Sequence, residues 1–342
     1  MQYGMKTRII EPIRQTFTPL IERLGDKPAT RYQEGTIGVQ HTENFHYRPT
    51  WDAQRELYDP NYSALKLTDP DAYADPRQYY YMPYVTSRAA MHDAFGTTLD
   101  YVVERGLLER TPDNWVRLID EVLVPLRHYE SGAQMLYSGA TSYTYGATIS
   151  QCCGYEAFDR IGNAQMISRI GLAVGQQSTE VLTSAKTLWI EAPYLQGLRE
   201  VEEKLLVEPD WAIGVVGLDL VDELIDAAVY HDLEEAALVG GAGAYSLLIQ
   251  QMNAWWPEHR KWVDALYKAW VNDAQHGAAN RAAIQQAVGA WLPRAQGAVA
   301  LLAEYADELV GTSSRAAAEQ RAADIVDRLR GLGVDIHNPS GA

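Results

Sequence analysis

The sequence predicts an all-α protein in which a bundle of helices follows a long extended N-terminal arm. Residues 1–84 hold 10 of the 21 tyrosines and 8 of the 15 prolines, and proline interrupts helices. From about Ser87 onward the chain is rich in Ala, Leu, Glu, Arg and Gln, which are strong helix formers. No clear alternation of strand-forming residues follows residue 90. We therefore assign residues 1–86 to the arm and residues 87–342 to a helical domain.

The arm carries large aromatic side chains that need a surface to cover them. Its proline-broken segments, residues 42–52 and 69–84, cannot form long helices, yet they offer a large apolar area. We therefore expect the arm to lie against its own bundle or against another subunit. The candidate contact residues in the arm are Phe45, Trp51, Tyr79, Tyr80, Tyr81 and Tyr84.

Start and stop signals place several helices in the second part of the chain. Thr111-Pro112-Asp113 puts proline at the start of a helix, and apolar residues follow at helical spacing. A long helix is expected over residues 146–174, and Glu208-Pro209-Asp210 opens another. The last helix should end near Gly331 and Gly333.

Composition excludes several classes of protein. The 342 residues are 47% hydrophobic, which is enough to form a large core, and the net charge of −16 argues against binding to nucleic acid. The two cysteines, Cys152 and Cys153, are adjacent, so a disulfide-built secreted protein is not expected. The first twenty residues lack the apolar segment of a secretion signal. These features favour a cytoplasmic protein.

Two long stretches, residues 131–155 and 236–257, contain no Asp, Glu, Lys or Arg. Their Gln, Asn, Ser and Thr residues would be costly in lipid, so we do not expect either stretch to cross a membrane. A helix without charge on any face is instead expected to have neighbours on every side. We therefore place a subunit contact on the first stretch, with Gly139 and Ala147 as candidate interface residues.

A search for catalytic motifs finds few candidates. The phosphate-binding, dinucleotide-binding and serine-hydrolase motifs are absent. A di-iron bundle needs one Glu from each of two helices and an E-x-x-H pair from each of two others. The one literal match, Glu43-x-x-His46, lies in the arm and has no second copy. Outside the arm, Glu121, His128 and Glu130 could surround a pocket in a self-sufficient helical enzyme or ligand-binding bundle, which is the alternative interpretation.

Several segments resemble one known family in order and spacing. They are EPIRQTFTPLIERLGDKPATRYQE, ENFHYRPTWD, DPRQYYYMPY, RGLL and DRIGNAQMISRIGL, and the resemblance runs over most of the chain, from about residue 10 to about residue 275. They resemble the β subunit of the hydroxylase in bacterial multicomponent monooxygenases, in the phenol hydroxylase, toluene monooxygenase and alkene monooxygenase branches. The resemblance implies a ferritin-like helical bundle.

The resemblance also implies partners and cofactors. In that family the α subunit holds the di-iron centre, and a reductase with FAD and a 2Fe-2S cluster supplies electrons from NADH. A small coupling protein docks on the hydroxylase, in which two α–β pairs contact each other, and a small γ subunit is present in some members. The chain would then be a non-catalytic β subunit, within a system that oxygenates a small apolar hydrocarbon such as an alkene, phenol or another aromatic compound.

The resemblance further implies that this chain has no catalytic, cofactor-binding or metal-binding residues of its own. Relatives that bind iron carry a DExRHxQ segment, and the matching residues 159–165 have Asn163 where histidine would be needed. The later ligand helix is expected at residues 238–256, where Gly240, Gly241 and Gly243 replace the acidic residues and histidine. Both departures predict a bundle without iron.

Overall fold

The computed structural model describes residues 18–40 and 56–336, and this part of the chain is all-α, which confirms the predicted class. Its α-helices, in chain order, are α1 (Thr18–Leu24), α2 (Arg31–Thr36), α3 (Tyr81–Glu104), α4 (Asp113–Leu118), α5 (Leu126–Tyr143), α6 (Ala147–Val174), α7 (Glu180–Glu191), α8 (Pro193–Leu206), α9 (Trp211–Ile225), α10 (Asp232–Val239), α11 (Gly243–Val271), α12 (Gly277–Val310) and α13 (Ser314–Gly331). Two π-helical turns, Ile119–Leu123 and Asp226–His231, link α4 to α5 and α9 to α10. Within these residues no helix is both long and apolar enough for a membrane crossing.

The predicted helix starts are confirmed, and their local chemistry explains them. Helix α4 begins directly after Pro112, and α6 covers residues 147–174. The Asp210 side chain accepts hydrogen bonds from the first turn of α9, at the backbone N–H groups of Ala212 and Ile213. The Asp210 cap therefore fixes where α9 enters the bundle.

Four long helices, α5, α6, α9 and α11, surround the centre of the bundle. Helices α5 and α6 form a hairpin that packs along its length, with a three-residue connection ending at Gly146. Gly146 has φ +114°, and a Cβ there would lie 2.8 Å from Pro70, so glycine is required at this turn. Around this centre, α3 packs on α6 and α11, while α8, α12 and α13 cover α5 and α9.

The described part of the arm lies on the chain's own bundle. Asp75 and Arg77 form an ion pair in which both side chains are 1% exposed. The Tyr73 hydroxyl donates to the Trp262 carbonyl, and the Gln40 side chain bonds the backbone between α5 and α6. Residues 81–86 of the predicted arm form the first turns of α3. Phe45 and Trp51, like the Glu43-x-x-His46 match, lie outside the described residues.

The predicted ligand helix at residues 238–256 is wrong in its boundaries. Helix α10 ends at Val239, and the chain turns through Gly241, which has φ +77°, before α11 begins at Gly243. The glycines therefore form a turn between two helices and do not occupy inward-facing ligand positions. The inward-facing polar residue of α11 is His259, further along the helix.

Candidate functional site

The four central helices each send polar or charged side chains into a shared interior. Every one of these side chains belongs to a residue that is at most 5% exposed. We call this set the interior network: Glu130 from α5, Glu156, Arg160 and Asn163 from α6, Asp219 and Asp222 from α9, and His259 from α11. Burial of so many ionisable groups requires that they neutralise each other.

Arg160 is the central cation of the interior network. Its Nη1 lies 3.0 Å from Asp222 Oδ1, and its Nη2 bonds the other oxygen of the same carboxylate. Its Nε lies 3.2 Å from Glu156 Oε1, and Nη1 also lies 3.4 Å from Glu130 Oε2. One guanidinium thus contacts carboxylates from three helices, and it uses the planar fork that makes arginine suited to such sites.

Aromatic rings enclose the guanidinium on its remaining sides. Its carbon lies 4.8 Å from the ring centre of Trp255 and 5.7 Å from that of Tyr137. The Tyr129 hydroxyl donates to Asp222 Oδ1 at 2.6 Å. The cation is therefore held by carboxylates at its edge and by ring faces above it, as cation–π contacts require.

His259 supplies a second buried charge. Its Nδ1 lies 2.9 Å from Glu156 Oε1, and its Nε2 lies 3.8 Å from Asp219 Oδ1. Burial alone would lower the pKa of His259, but the charge of Glu156 and the contact with Asp219 raise this pKa to about 9. Burial would raise the pKa of Glu156, but His259 and then Arg160 hold it below its usual range. The pair is therefore ionised at neutral pH.

Glu130 of the interior network and the neighbouring Glu202 both have raised pKa values. Burial raises the pKa of Glu130 to about 7, although Arg160 opposes the shift. Glu202, on α8, is 5% exposed, and burial together with the charge of Glu130 raises its pKa to about 9. The Glu202 carboxyl lies against Gly132, where a Cβ would be 1.8 Å from Oε1. Glu202 is therefore protonated at neutral pH.

A chain of ion pairs continues from the interior network to the C-terminal helix. Arg260 pairs with Asp219 and, at 3.3 Å, with Glu223. Arg328 of α13 also pairs with Glu223, and Arg321 lies 3.1 Å from Asp226 at the start of the second π-helical turn. These contacts attach α13 to the helix that carries two of the interior carboxylates.

The interior network does not fit a di-metal centre. When residues 159–165 are aligned with DExRHxQ, Asn163 takes the position of the histidine and Arg160 takes the position of the glutamate. On α11, Trp256 stands three residues before His259, where an E-x-x-H pair would have its Glu. Among residues 18–40 and 56–336, no three His, Cys, Asp or Glu side chains are arranged to hold a metal ion. A positive side chain lies among the carboxylates where a metal would need to be.

Asp159, the acid retained from DExRHxQ, takes part in a separate contact. Its carboxylate accepts two 2.7 Å hydrogen bonds from Arg88 and one of 2.8 Å from the Tyr84 hydroxyl. The Trp255 indole N–H donates to it at 3.1 Å. Asp159 therefore joins α3, α6 and α11, and all of its oxygen atoms have partners.

The three residues of the alternative enzyme interpretation do not form one site. Glu121 pairs with Arg117 at the surface. His128 stacks on Trp189, and burial lowers its pKa to about 4. Glu130 belongs to the interior network. Each residue has separate partners, so the structure does not support a self-sufficient catalytic cluster built from them.

The described interface candidates divide into buried and exposed residues. Tyr79, Tyr84 and Ala147 are 9%, 5% and 3% exposed, so they are largely covered by their own chain. Tyr80 is half-buried, whereas Tyr81 is 71% exposed and Gly139 is also exposed. Tyr81 and Gly139 thus retain most of the surface that a partner could contact.

Two exposed surfaces near these residues carry large apolar side chains. The first, the α3–α6 seam, carries Tyr81, Met82, Val85, Phe158 and Ile161, each more than 40% exposed. The second, the α5 groove, has a volume of about 360 Å³. The exposed residues that line this groove are Met135, Gly139, Leu206, Val207 and Pro209, and the half-buried Glu208 also lines it.

Sequence reasoning missed Glu156, Arg160, Asp222 and His259 as one cluster. A signal was present, because Glu156 and Arg160 are spaced i,i+4 within a helix expected to be buried. Helix α9, WAIGVVGLDLVDELI, likewise places three acids among apolar residues. Buried acids of this kind require cations from other helices, and the sequence does not say which cations reach them.

Comparison with known proteins gives consistent results. The family described as methane/phenol/alkene hydroxylase matches residues 51–274. The oxygenase component of phenol 2-monooxygenase from Pseudomonas sp. (strain CF600) is 39% identical over 90% of this chain and 92% of its own length. The β subunit of the toluene-4-monooxygenase hydroxylase from Ectopseudomonas mendocina is 27% identical over 69% of this chain and 72% of its own. A crystal structure of xenon-pressurised phenol hydroxylase from Pseudomonas sp. OX1 matches with a TM-score of 0.87 and 32% identity, over 98% of this chain and 99% of that chain.

Proposed function

The chain belongs to the methane/phenol/alkene hydroxylase family, and we propose that it acts there as a β subunit without a catalytic centre of its own. The relative from Ectopseudomonas mendocina is named as a hydroxylase β subunit. The relative from strain CF600 is named as an oxygenase component of a phenol monooxygenase. The chain is thus part of an oxidoreductase system that also needs a catalytic α subunit.

The interior network is the observation that carries this proposal. A ferritin-like bundle that activates oxygen must hold redox metal between its central helices. Here Arg160 lies between those helices, bonded to carboxylates from α5, α6 and α9. A guanidinium is neither redox-active nor able to ligate a metal, which supports the proposal that oxygen chemistry takes place in another subunit.

In the proposed assembly, the oxygen chemistry and the supply of electrons belong to other components. The α subunit would hold the di-iron centre and insert one atom of O2 into a small apolar substrate. Electrons would come from NADH through a reductase that carries FAD and a 2Fe-2S cluster, and a coupling protein would dock on the hydroxylase. The phenol and toluene in the relatives' names favour an aromatic substrate over an alkene.

We place the partner contacts on the α3–α6 seam and the α5 groove. The chain has a net charge of −16, yet the α3–α6 seam and the α5 groove expose large apolar side chains. Phe158 is 56% exposed, Met135 is 54% exposed and Val207 is 77% exposed. Apolar surfaces of this kind are typical of obligate subunit contacts. One surface would contact the α subunit, and the other would contact the second α–β pair or a small third subunit.

Affinity purification tests the proposal directly. The tagged full chain, isolated from its native host, should bring down a larger subunit with two E-x-x-H motifs, which mass spectrometry would identify. The complex should oxygenate phenol or toluene when reductase, coupling protein and NADH are added. Recovery of this chain alone, with oxygenase activity of its own, would contradict the proposal.

A further inference from the structure

We infer that the interior of this bundle is a binding site for a planar guanidinium-type cation, and that the chain fills this site with its own Arg160. This goes beyond the proposed function, because it assigns a specific ligand chemistry to the place where the fold would otherwise hold metal. The role is independent of which partner the chain assembles with.

The first argument is charge. Glu130 and Asp222, on two helices that face α6, both contact Arg160. Without a cation these buried carboxylates would repel each other, and the single positive side chain of Arg160 removes that repulsion.

The second argument is shape. The guanidinium uses both Nη atoms and Nε as donors, toward oxygens of Asp222, Glu156 and Glu130 that lie around its edge. Its flat face is covered by the ring of Trp255 at 4.8 Å. Edge-on carboxylates with a stacked ring suit a planar cation, whereas a spherical metal ion needs its ligands to converge on one point.

Chemical rescue of an Arg160→Ala variant tests this assignment in the full chain. The substitution removes the cation and leaves a cavity next to uncompensated carboxylates, so the thermal midpoint should fall by about 5–10 °C. Guanidinium chloride at low millimolar concentration should restore part of this loss in a saturable manner. Equal concentrations of sodium chloride and urea control for ionic strength and for denaturant effects.

Two comparisons make the result decisive. Arg199→Ala removes a partly exposed arginine that pairs with Glu203, so guanidinium should not raise the thermal midpoint of this variant. Adding Asp222→Asn to Arg160→Ala removes the carboxylate that is bonded twice, so guanidinium should bind more weakly. Rescue by MnCl2 in place of guanidinium would overturn the proposal in favour of a latent metal site. Failure of both cations to stabilise a folded variant would also overturn it.

A further variant covers the case in which Arg160→Ala does not fold. Combining Arg160→Met with Glu130→Gln and Asp222→Asn removes the cation and two of the three carboxylates that it contacts, while Glu156 keeps its contact with His259. Because neutral side chains can replace a buried ion cluster, this variant should fold. If it also fails to fold, Arg160 is needed for more than its charge, and the proposal is wrong.

Discussion

Glu202 provides a test of how this bundle responds to pH. The residue lies on α8 with its carboxyl against the backbone of Gly132. Its Oε1 has no hydrogen-bond partner among the described residues. Burial, with help from the charges of Glu130 and Glu203, raises its pKa from 4.5 to about 9. The folded chain therefore keeps a proton that the unfolded chain releases, and Glu202→Gln removes this difference.

The sign and size of the effect follow from linkage. Below pH 4.5 the Glu202 carboxyl is protonated in both the folded and the unfolded chain, so it causes no pH-dependent change in the free energy of unfolding. Above that pH the wild type loses about 1.4 kcal/mol of unfolding free energy per pH unit, until the folded pKa is reached. At pH 7 the accumulated loss is about 3 kcal/mol. The glutamine variant carries no charge at any pH, so its advantage over wild type should grow as pH rises.

Urea unfolding of both proteins, followed by circular dichroism at about pH 5 and about pH 8, measures this change. The matched control is Glu203→Gln, because the neighbouring Glu203 side chain is 59% exposed and pairs with Arg199. The control should differ little from wild type at either pH. A stability difference between wild type and Glu202→Gln that stays constant with pH would show that Glu202 is not protonated in the folded chain.

Three further predictions address metal content, assembly and the arm. The full chain, purified alone without chelators, should contain no stoichiometric iron, zinc or manganese by elemental analysis, and a reproducible pair of irons per chain would contradict the β-subunit assignment. Gly139→Glu should leave the chain folded, because a Cβ there meets nothing within 4 Å, but it should weaken association with the α subunit by about 3 kcal/mol on size-exclusion titration. Ala147→Arg, at a residue 3% exposed within its own chain, should instead lower the stability of the isolated chain. Asp75→Asn should lower the free energy of unfolding in urea by about 3–5 kcal/mol, because it leaves Arg77 buried without its counterion. The control Asp69→Asn, which removes an exposed ion pair, should lower it by less than about 1 kcal/mol.

Local signals in the sequence were sufficient to predict where several of the helices begin. Pro112, Gly146 and Asp210 act on the residues next to them, so the starts of α4, α6 and α9 could be read directly. The all-α class followed from composition for the same reason. These features depend on residues within one turn of each other, and no distant contact overrides them.

Local signals did not predict which face of α6 is buried in the bundle. An apolar residue such as Phe158 is normally expected in the core, yet it is 56% exposed, while Arg160 is 1% exposed. The helix buries its charged side because Glu130 and Asp222, which lie 30 and 62 positions away in sequence, supply the opposite charges. Such compensation depends on tertiary pairing, and one sequence does not reveal it.

The positions of the cysteine and methionine side chains determine where peroxide can oxidise this chain. Both cysteine thiols are buried, and burial raises the pKa of Cys153 to about 12. The thiolate, which is the form that reacts with peroxide, is therefore scarcely formed at Cys153. The thioethers of Met82 and Met135, in contrast, lie on the two proposed contact surfaces, at 45% and 54% exposure. In the proposed assembly the partner subunits would cover these thioethers, so peroxide would oxidise them only while the subunits are apart. Oxidation would then hinder reassembly of the subunits, which methionine sulfoxide reductase could reverse, while each β bundle remains folded.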